Sequence, residues 1–190
     1  MNKGKVIILV APSGSGKSTM AGRLFEDFDN LKFSVSATTR PPRVNEKDGV
    51  HYFFISPKEF EAKIAKNEFL EWEEFYGGKR YGTLRKEVDK ILNSGYFVLL
   101  DLEVKGAVNV KNIYGPDCLS IFIQPPSLQA LKQRLQDRGS ENSKTLALRL
   151  ERATQEITYA DRFDRVIIND DLDTAYSQVK QAVAEFMNLK

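Results

Sequence analysis

Short, almost wholly apolar runs alternate along the chain with stretches whose apolar residues recur every three or four positions. The runs at residues 5–10, 96–100, 118–123 and 165–168 are continuous rather than alternating in polarity, as in parallel strands covered on both faces. They predict buried strands, and the stretches that follow predict amphipathic helices. After Pro126, Ser127 stands as N-cap, Leu128, Leu131 and Leu135 form an apolar stripe, and Gly139 is the stop. From Asp171 onward, Leu172, Ala175, Val179, Val183 and Phe186 are spaced for one buried face. Strand and helix in regular succession predict an α/β fold with a largely parallel sheet flanked by helices.

The texture changes between residues 34 and 83. Here lie Arg40-Pro41-Pro42-Arg43, a Lys/Asp/Gly turn, the run Tyr52-Phe53-Phe54-Ile55, one short helix and an aromatic segment at residues 69–76. The helix has Ser56 as N-cap, Pro57 at its first position and Glu59 closing a capping box. This segment predicts a small inserted subdomain. The polar run Gly139-Ser140-Glu141-Asn142-Ser143-Lys144, between two helical stretches, predicts a mobile loop.

Composition narrows the classes. The 190 residues suit one core, and 42% hydrophobic with 28% charged residues excludes disordered, collagen-like and membrane-spanning chains. With 28 Lys and Arg against 26 Asp and Glu, the net charge of +2 supplies no bulk field toward nucleic acid or an anionic membrane. The one cysteine, Cys118, and the one histidine, His51, exclude an intramolecular disulfide and Cys- or His-rich metal clusters. A reducing compartment, the cytoplasm, is the expected location. The apolar run at residues 6–10 is shorter than a signal core of ~7 to 15 residues. No run approaches the ~18 residues that span a bilayer.

Specific chemistry enters at Ala11-Pro12-Ser13-Gly14-Ser15-Gly16-Lys17-Ser18-Thr19, which fits the GxxxxGK[ST] phosphate loop with Ala11 in place of the first glycine. Glycines there let successive backbone N–H groups turn inward around a phosphate, and the helix that begins near Lys17 adds its positive end. Lys17 is expected at the β- and γ-phosphates of a nucleotide, and Ser18 on Mg²⁺. The loop follows a buried strand and precedes a helix with Met20, Leu24 and Phe28 on one face, the context the motif requires. An alanine at the first position would be strained if that position needs positive φ.

Further motifs follow in order: Ser36-Ala37-Thr38-Thr39-Arg40-Pro41-Pro42-Arg43, Gly49-Val50-His51-Tyr52-Phe53-Phe54, Asn67-Glu68-Phe69-Leu70-Glu71-Trp72, Tyr81-Gly82-Thr83, Asp101-Leu102-Glu103-Val104-Lys105-Gly106 and Ile168-Asn169-Asp170-Asp171-Leu172. With the phosphate loop and the arginine-bearing stretch at residues 134–152, they resemble the guanylate kinase family over nearly the whole chain. The resemblance implies a P-loop NTPase-type fold: a core at about residues 1–33 and 84–190, an NMP-binding insertion at about 34–83 and a lid at about 138–149. It implies transfer of the γ-phosphoryl group of ATP to GMP, and to dGMP, with Mg²⁺. The implied partners are these nucleotides alone, in a monomer or homodimer.

Two guanidinium forks flanking a stiff proline pair can hold a phosphate bidentately. The resemblance assigns Arg40 and Arg43, with the hydroxyls of Tyr52 and Tyr81, to the phosphate of GMP; without those tyrosines a solvated arginine pair would be the default reading. Guanine offers N1–H and an amino group beside O6, so a carboxylate accepting both and a hydroxyl donating to O6 would read it. By resemblance Glu71 is that carboxylate, with Ser36 and Thr83 as hydroxyls; only the family match separates Glu71 from Glu73 and Glu74. Asp101 closes an apolar strand and is expected near GMP and Mg²⁺. Glu103 and Lys105 depart from the family pattern Asp-x-Asp-x-Gln-Gly, so the contact of Glu103 to the guanine amino group must be re-angled. Resemblance further implies catalytic roles for Arg138 and Arg149, with Arg134 beside them, and a position for Asn169 bordering the adenine. Arg152 reads as a surface residue. The competing readings are a phosphopeptide-binding guanylate-kinase-like module and a kinase for another phosphorylated small molecule.

Overall fold

In the computed structural model, which describes residues 3–75, 77–137 and 143–188, the strand β1 (Val6–Val10) is wholly buried. It lies at the centre of a five-stranded sheet of order β2-β7-β1-β8-β9, with β2 (Leu31–Phe33), β7 (Phe97–Asp101), β8 (Cys118–Gln124) and β9 (Arg165–Ile168) all parallel. Successive side chains of β1 enter opposite layers, as the period of a strand requires. Ile7 and Leu9 pack toward Met20 and Leu24 of α1 (Lys17–Asp27) and Val179 and Val183 of α7 (Leu172–Phe186). Val6, Ile8 and Val10 pack toward Val88 and Leu92 of α3 (Arg85–Asn93) and Ala107 and Val110 of α4 (Val104–Tyr114).

A second, mixed sheet of order β4-β3-β6-β5 is built from β3 (Ala37–Thr38), β4 (Phe53–Phe54), β5 (Phe69–Phe75) and β6 (Lys79–Leu84). Its core is small. Phe60 of α2 (Pro57–Ala65) stacks on Phe69 at 4.4 Å, with Ala37 buried beside them. The capping box forms as the sequence predicts: Ser56 Oγ accepts from Glu59 N at 3.2 Å and Glu59 accepts from Ser56 N at 2.8 Å. A third cluster joins α5 (Leu128–Asp137) to α6 (Ser143–Ile157) through Leu131, Leu135 and Ala153.

Several expectations shift. The strand β9 is not covered on both faces: Val166 and Ile168 are 44% and 56% exposed, because β9 is the edge of the sheet. Leu128 is 41% exposed and leaves the stripe to Leu131 and Leu135. The edge strand β2 has no counterpart in the sequence reading, since only Leu31 of its three residues is buried. Gly139 lies outside the described residues.

Candidate active site

Open α/β sheets gather ligands beyond the carboxyl ends of their strands, and here β1, β7 and β9 all deliver site residues at those ends. The loop at residues 11–19 leaves β1 and enters α1, with Gly14 and Gly16 at φ +95° and +90°. Ala11 is buried and is not among the described positive-φ residues, so alanine carries no strain there. Asn169, at the end of β9, is 3% exposed and donates from Nδ2 to Ser15 O at 2.8 Å, fastening the loop from beneath. A Cβ on Gly16 would stand 2.5 Å from that nitrogen. Arg134 donates to the carbonyls of Asn169 (2.9 Å) and Asp170 (3.1 Å).

Lys17 forms an ion pair with Asp101, the last residue of β7, and its Nζ lies 3.5 Å from Leu102 O. Arg149 of α6 donates to Ser13 Oγ at 2.9 Å. Together these groups border a cavity of about 700 Å³ lined by residues 11–19, Phe75, Asp101, Glu103, Thr145, Leu148, Arg149, Arg152 and Glu156. Ser18 lines it; Asn169 and Arg134 do not. Arg138 lies outside the described residues.

On the insertion, Arg40 is 7% exposed and lies beside the rings of Tyr52 and Phe54, 5.4 and 5.6 Å from their centroids. It donates from Nε to Tyr81 Oη (3.1 Å), from Nη1 to Pro41 O and Glu46 Oε2 (both 2.8 Å), and from Nη2 to Glu46 Oε1 (2.9 Å). Of the five N–H groups of a guanidinium, these bonds among the described residues use four and leave one on Nη2. Glu46 also accepts from Arg43 N at 2.7 Å. The Arg40 guanidinium holds the Glu46 carboxyl down to about 2, and the pairing raises Arg40 in turn. Burial raises the Tyr52 hydroxyl, which therefore stays a donor at neutral pH. The Arg43 side chain is exposed.

Alternation along β5 sorts its acids. Glu71 Oε1 accepts from Thr83 Oγ1 at 2.6 Å and Thr83 N at 3.1 Å across the β5–β6 pairing. Glu73 shares that face, whereas Glu74 faces the other way and pairs with Arg80 at 2.8 Å. Burial raises the Glu71 carboxyl, the Thr83 bonds oppose this, and the charges of Glu73 and Glu103 add to it. The helix α4 approaches so closely that a Cβ on Gly106 would lie 2.7 Å from Glu71 Oε2. Ser36, half-buried, fixes the strand pairing through its carbonyl, which accepts from Phe53 N at 2.9 Å.

Sequence reasoning passed over Glu46 and read Arg152 as a surface residue. The first carries a legible signal, an acid three residues beyond Arg43 in a loop holding two arginines. Arg152 sits one turn after Arg149 and four residues before Glu156, to which it donates at 2.8 Å. Its other partners, Glu103 at 2.8 Å and Glu73 at 3.4 Å, come from distant segments.

A family model described as Guanylate kinase matches residues 3–186. A guanylate kinase of Bacteroides thetaiotaomicron is 50% identical over 185 residues, covering 97% of this chain and 91% of that protein. One from Chlorobium luteolum is 48% identical over 187 residues, covering 98% and 94%. Among solved structures, guanylate kinase from Anaplasma phagocytophilum superposes with a TM-score of 0.75 at 31% identity, over 98% of this chain and 88% of that one.

Proposed function

The chain belongs to the guanylate kinase family, and from that membership we infer that it transfers the γ-phosphoryl group of ATP to GMP, and to dGMP, releasing ADP. The observation that carries the reading is the pairing of two recognition devices on one insertion: a guanidinium set among tyrosines, and a half-buried carboxylate bonded to a hydroxyl. The first suits a phosphate and the second a guanine, and the phosphate loop supplies the donor side. A phosphopeptide module would have no use for Lys17, Ser18 and Arg149 around a single cavity.

In this reading Lys17 and the loop's N–H groups hold the donor phosphates, with Asn169 keeping the loop in shape beside the adenine. Arg149 and Arg134, together with Arg138, neutralise the charge that spreads over the transferred group. Arg43, the hydroxyls of Tyr52 and Tyr81, and the remaining Nη2 hydrogen of Arg40 bind the GMP phosphate. Glu71, Ser36 and Thr83 read the base, with Asp101 and Glu103 beside it. The attacking atom is already an anionic phosphate oxygen, so positioning does the work and no strong general base is required. His51 fits that view, its Nδ1 accepting from Lys47 N at 3.0 Å within an exposed turn.

Ser18 and Asp101 fit a Mg²⁺ that arrives with the nucleotide. A hydroxyl and a carboxylate are hard oxygen donors on one cavity, and no group of three or more acids, histidines or cysteines that could hold a metal occurs among the described residues. Phosphates and water would complete the shell. When bound, the ion would supply positive charge that offsets the charge of the phosphates. The enzyme is assigned to the cytoplasm, a compartment that suits a single free and buried thiol, Cys118.

One coupled assay of ADP release against GMP, dGMP, AMP, UMP and CMP tests the reading. GMP and dGMP are expected to exceed the others in kcat/KM by at least about a hundredfold, since a site built around base hydrogen bonds rejects bases that leave them unpaired. Comparable turnover of AMP would overturn it.

A further inference from the structure

The helix α6 touches both sides of the cleft. Through Arg149 it reaches Ser13 of the phosphate loop at 2.9 Å. One turn later, Arg152 lies over the Phe75 ring at 5.5 Å and places its fork among carboxylates that come from two other parts of the chain and from its own next turn. Nε donates to Glu156 at 2.8 Å, and Nη2 donates to Glu103 at 2.8 Å and Glu73 at 3.4 Å. Glu103 stands where the family pattern carries the shorter aspartate. Its extra methylene lengthens its reach, and that reach ends on Arg152.

Charge explains why a cation is needed there. Burial raises the carboxyls of Glu71, Glu73 and Glu156, and in each case the neighbouring Glu103 pushes in the same direction, while Arg152 lowers Glu73 and Glu156. Removing the guanidinium would leave these acids to repel one another or take up protons, and Glu103 would lose the contact that fixes its direction. A lysine presents one point charge, without the planar fork that serves Glu156 and Glu103 together.

We propose that Arg152 is a positioning residue for the acceptor: from α6 it aims the Glu103 carboxylate at the guanine. The proposal rests on the reading of Glu103 as a guanine contact. Kinetics of Arg152→Ala, Arg152→Lys, Glu103→Gln and the double variant Arg152→Ala/Glu103→Gln test it. Arg152→Ala is expected to raise KM for GMP about tenfold, with KM for ATP and kcat within about threefold of the parent enzyme. Arg152→Lys should fall between parent and alanine variant. The double variant should cost no more than its costlier single within about twofold, because two residues that act through one contact are not additive.

Several outcomes overturn the proposal. These are KM for GMP within twofold of the parent in both Arg152 variants, equal rises in KM for ATP and GMP, multiplied costs in the double variant, or a kcat loss of orders of magnitude, which would make Arg152 catalytic. If Arg152→Ala does not fold, as judged by its thermal midpoint, Arg152→Lys and Glu103→Gln decide by the same GMP-against-ATP comparison. Failure of the underlying function looks different, because the parent enzyme itself would then show no GMP-dependent ADP release.

Discussion

Glu71 and Glu46 are acids of one insertion held in opposite states. Glu46 is paired to a guanidinium and sits well below the ordinary carboxylate range, whereas Glu71 is half-buried, accepts hydroxyl and amide hydrogens from Thr83, and is shifted upward by desolvation. A carboxyl whose folded pKa is raised binds its proton more tightly in the folded state than in the unfolded one. Its contribution to stability is therefore greatest at low pH and declines as pH rises from the ordinary glutamate value through the raised one. An ionised Glu71 is thus a cost to folding, and on the proposed reading guanine, with two hydrogens to donate, makes that charge useful. Glu71→Gln should then melt no lower than the parent enzyme at pH 7, with the gap in its favour shrinking as the pH is lowered toward about 4.5, the ordinary value, and changing no further below it. Its KM for GMP should rise by about a hundredfold or more, since an amide cannot accept both guanine hydrogens. Calorimetry across pH alongside GMP kinetics checks both halves; a destabilised variant with unchanged KM would make Glu71 a structural residue.

Elements differ in how plainly the chain announces them. The strand β1, its loop and α1 are legible because each follows from local necessity: an unbroken apolar run, glycines where φ is +95° and +90°, and a helix start at Lys17. The start of α2 is equally local, as is that of α7, where Asp171 caps Thr174 N at 2.8 Å. The strand β2 is illegible because a three-residue edge with one buried side chain has no periodicity to show. The strand β9 is misjudged in burial because apolar composition alone does not say which strand ends the sheet. Arg152 escapes for another reason: its meaning depends on Glu73 and Glu103, 79 and 49 residues away. The approach of α4 to β5 is likewise invisible until the fold exists, yet it rests on one residue. Alanine in place of Gly106 would favour an isolated helix by about 1 kcal/mol, but its Cβ would lie 2.7 Å from Glu71 Oε2 and 3.2 Å from Cγ. Either α4 retreats or Glu71 turns. Gly106→Ala is expected to raise KM for GMP about tenfold while the thermal midpoint stays within a few degrees, the propensity gain offsetting the contact. Unaltered GMP kinetics would show that Glu71 tolerates displacement.

Across the whole molecule, the net charge of +2 conceals a convergence of cations, since Lys17, Arg149 and Arg152 share one cavity while Arg40 is buried on the insertion. The parts that carry these charges are unequally held. The parallel sheet is packed on both faces by α1 and α7 on one side and α3 and α4 on the other, whereas the four-stranded sheet rests on a cluster centred on Ala37, Phe60 and Phe69. Local opening costs least where few apolar side chains are buried, so the four-stranded sheet should open well before the core does. A ligand that binds only the closed insertion withdraws it from that equilibrium, and at a hundred times its Kd the stabilisation is about 2.7 kcal/mol, or about a hundredfold in opening. Hydrogen exchange should therefore find the amides of β3, β5 and β6 exchanging before those of β1, β7 and β8 in the free enzyme. GMP should slow the first group by up to about a hundredfold with little effect on α1, and ATP should protect the start of α1 instead. Equal protection of both regions by either nucleotide would mean that insertion and core open together, and that the acceptor site has no independent motion to lose.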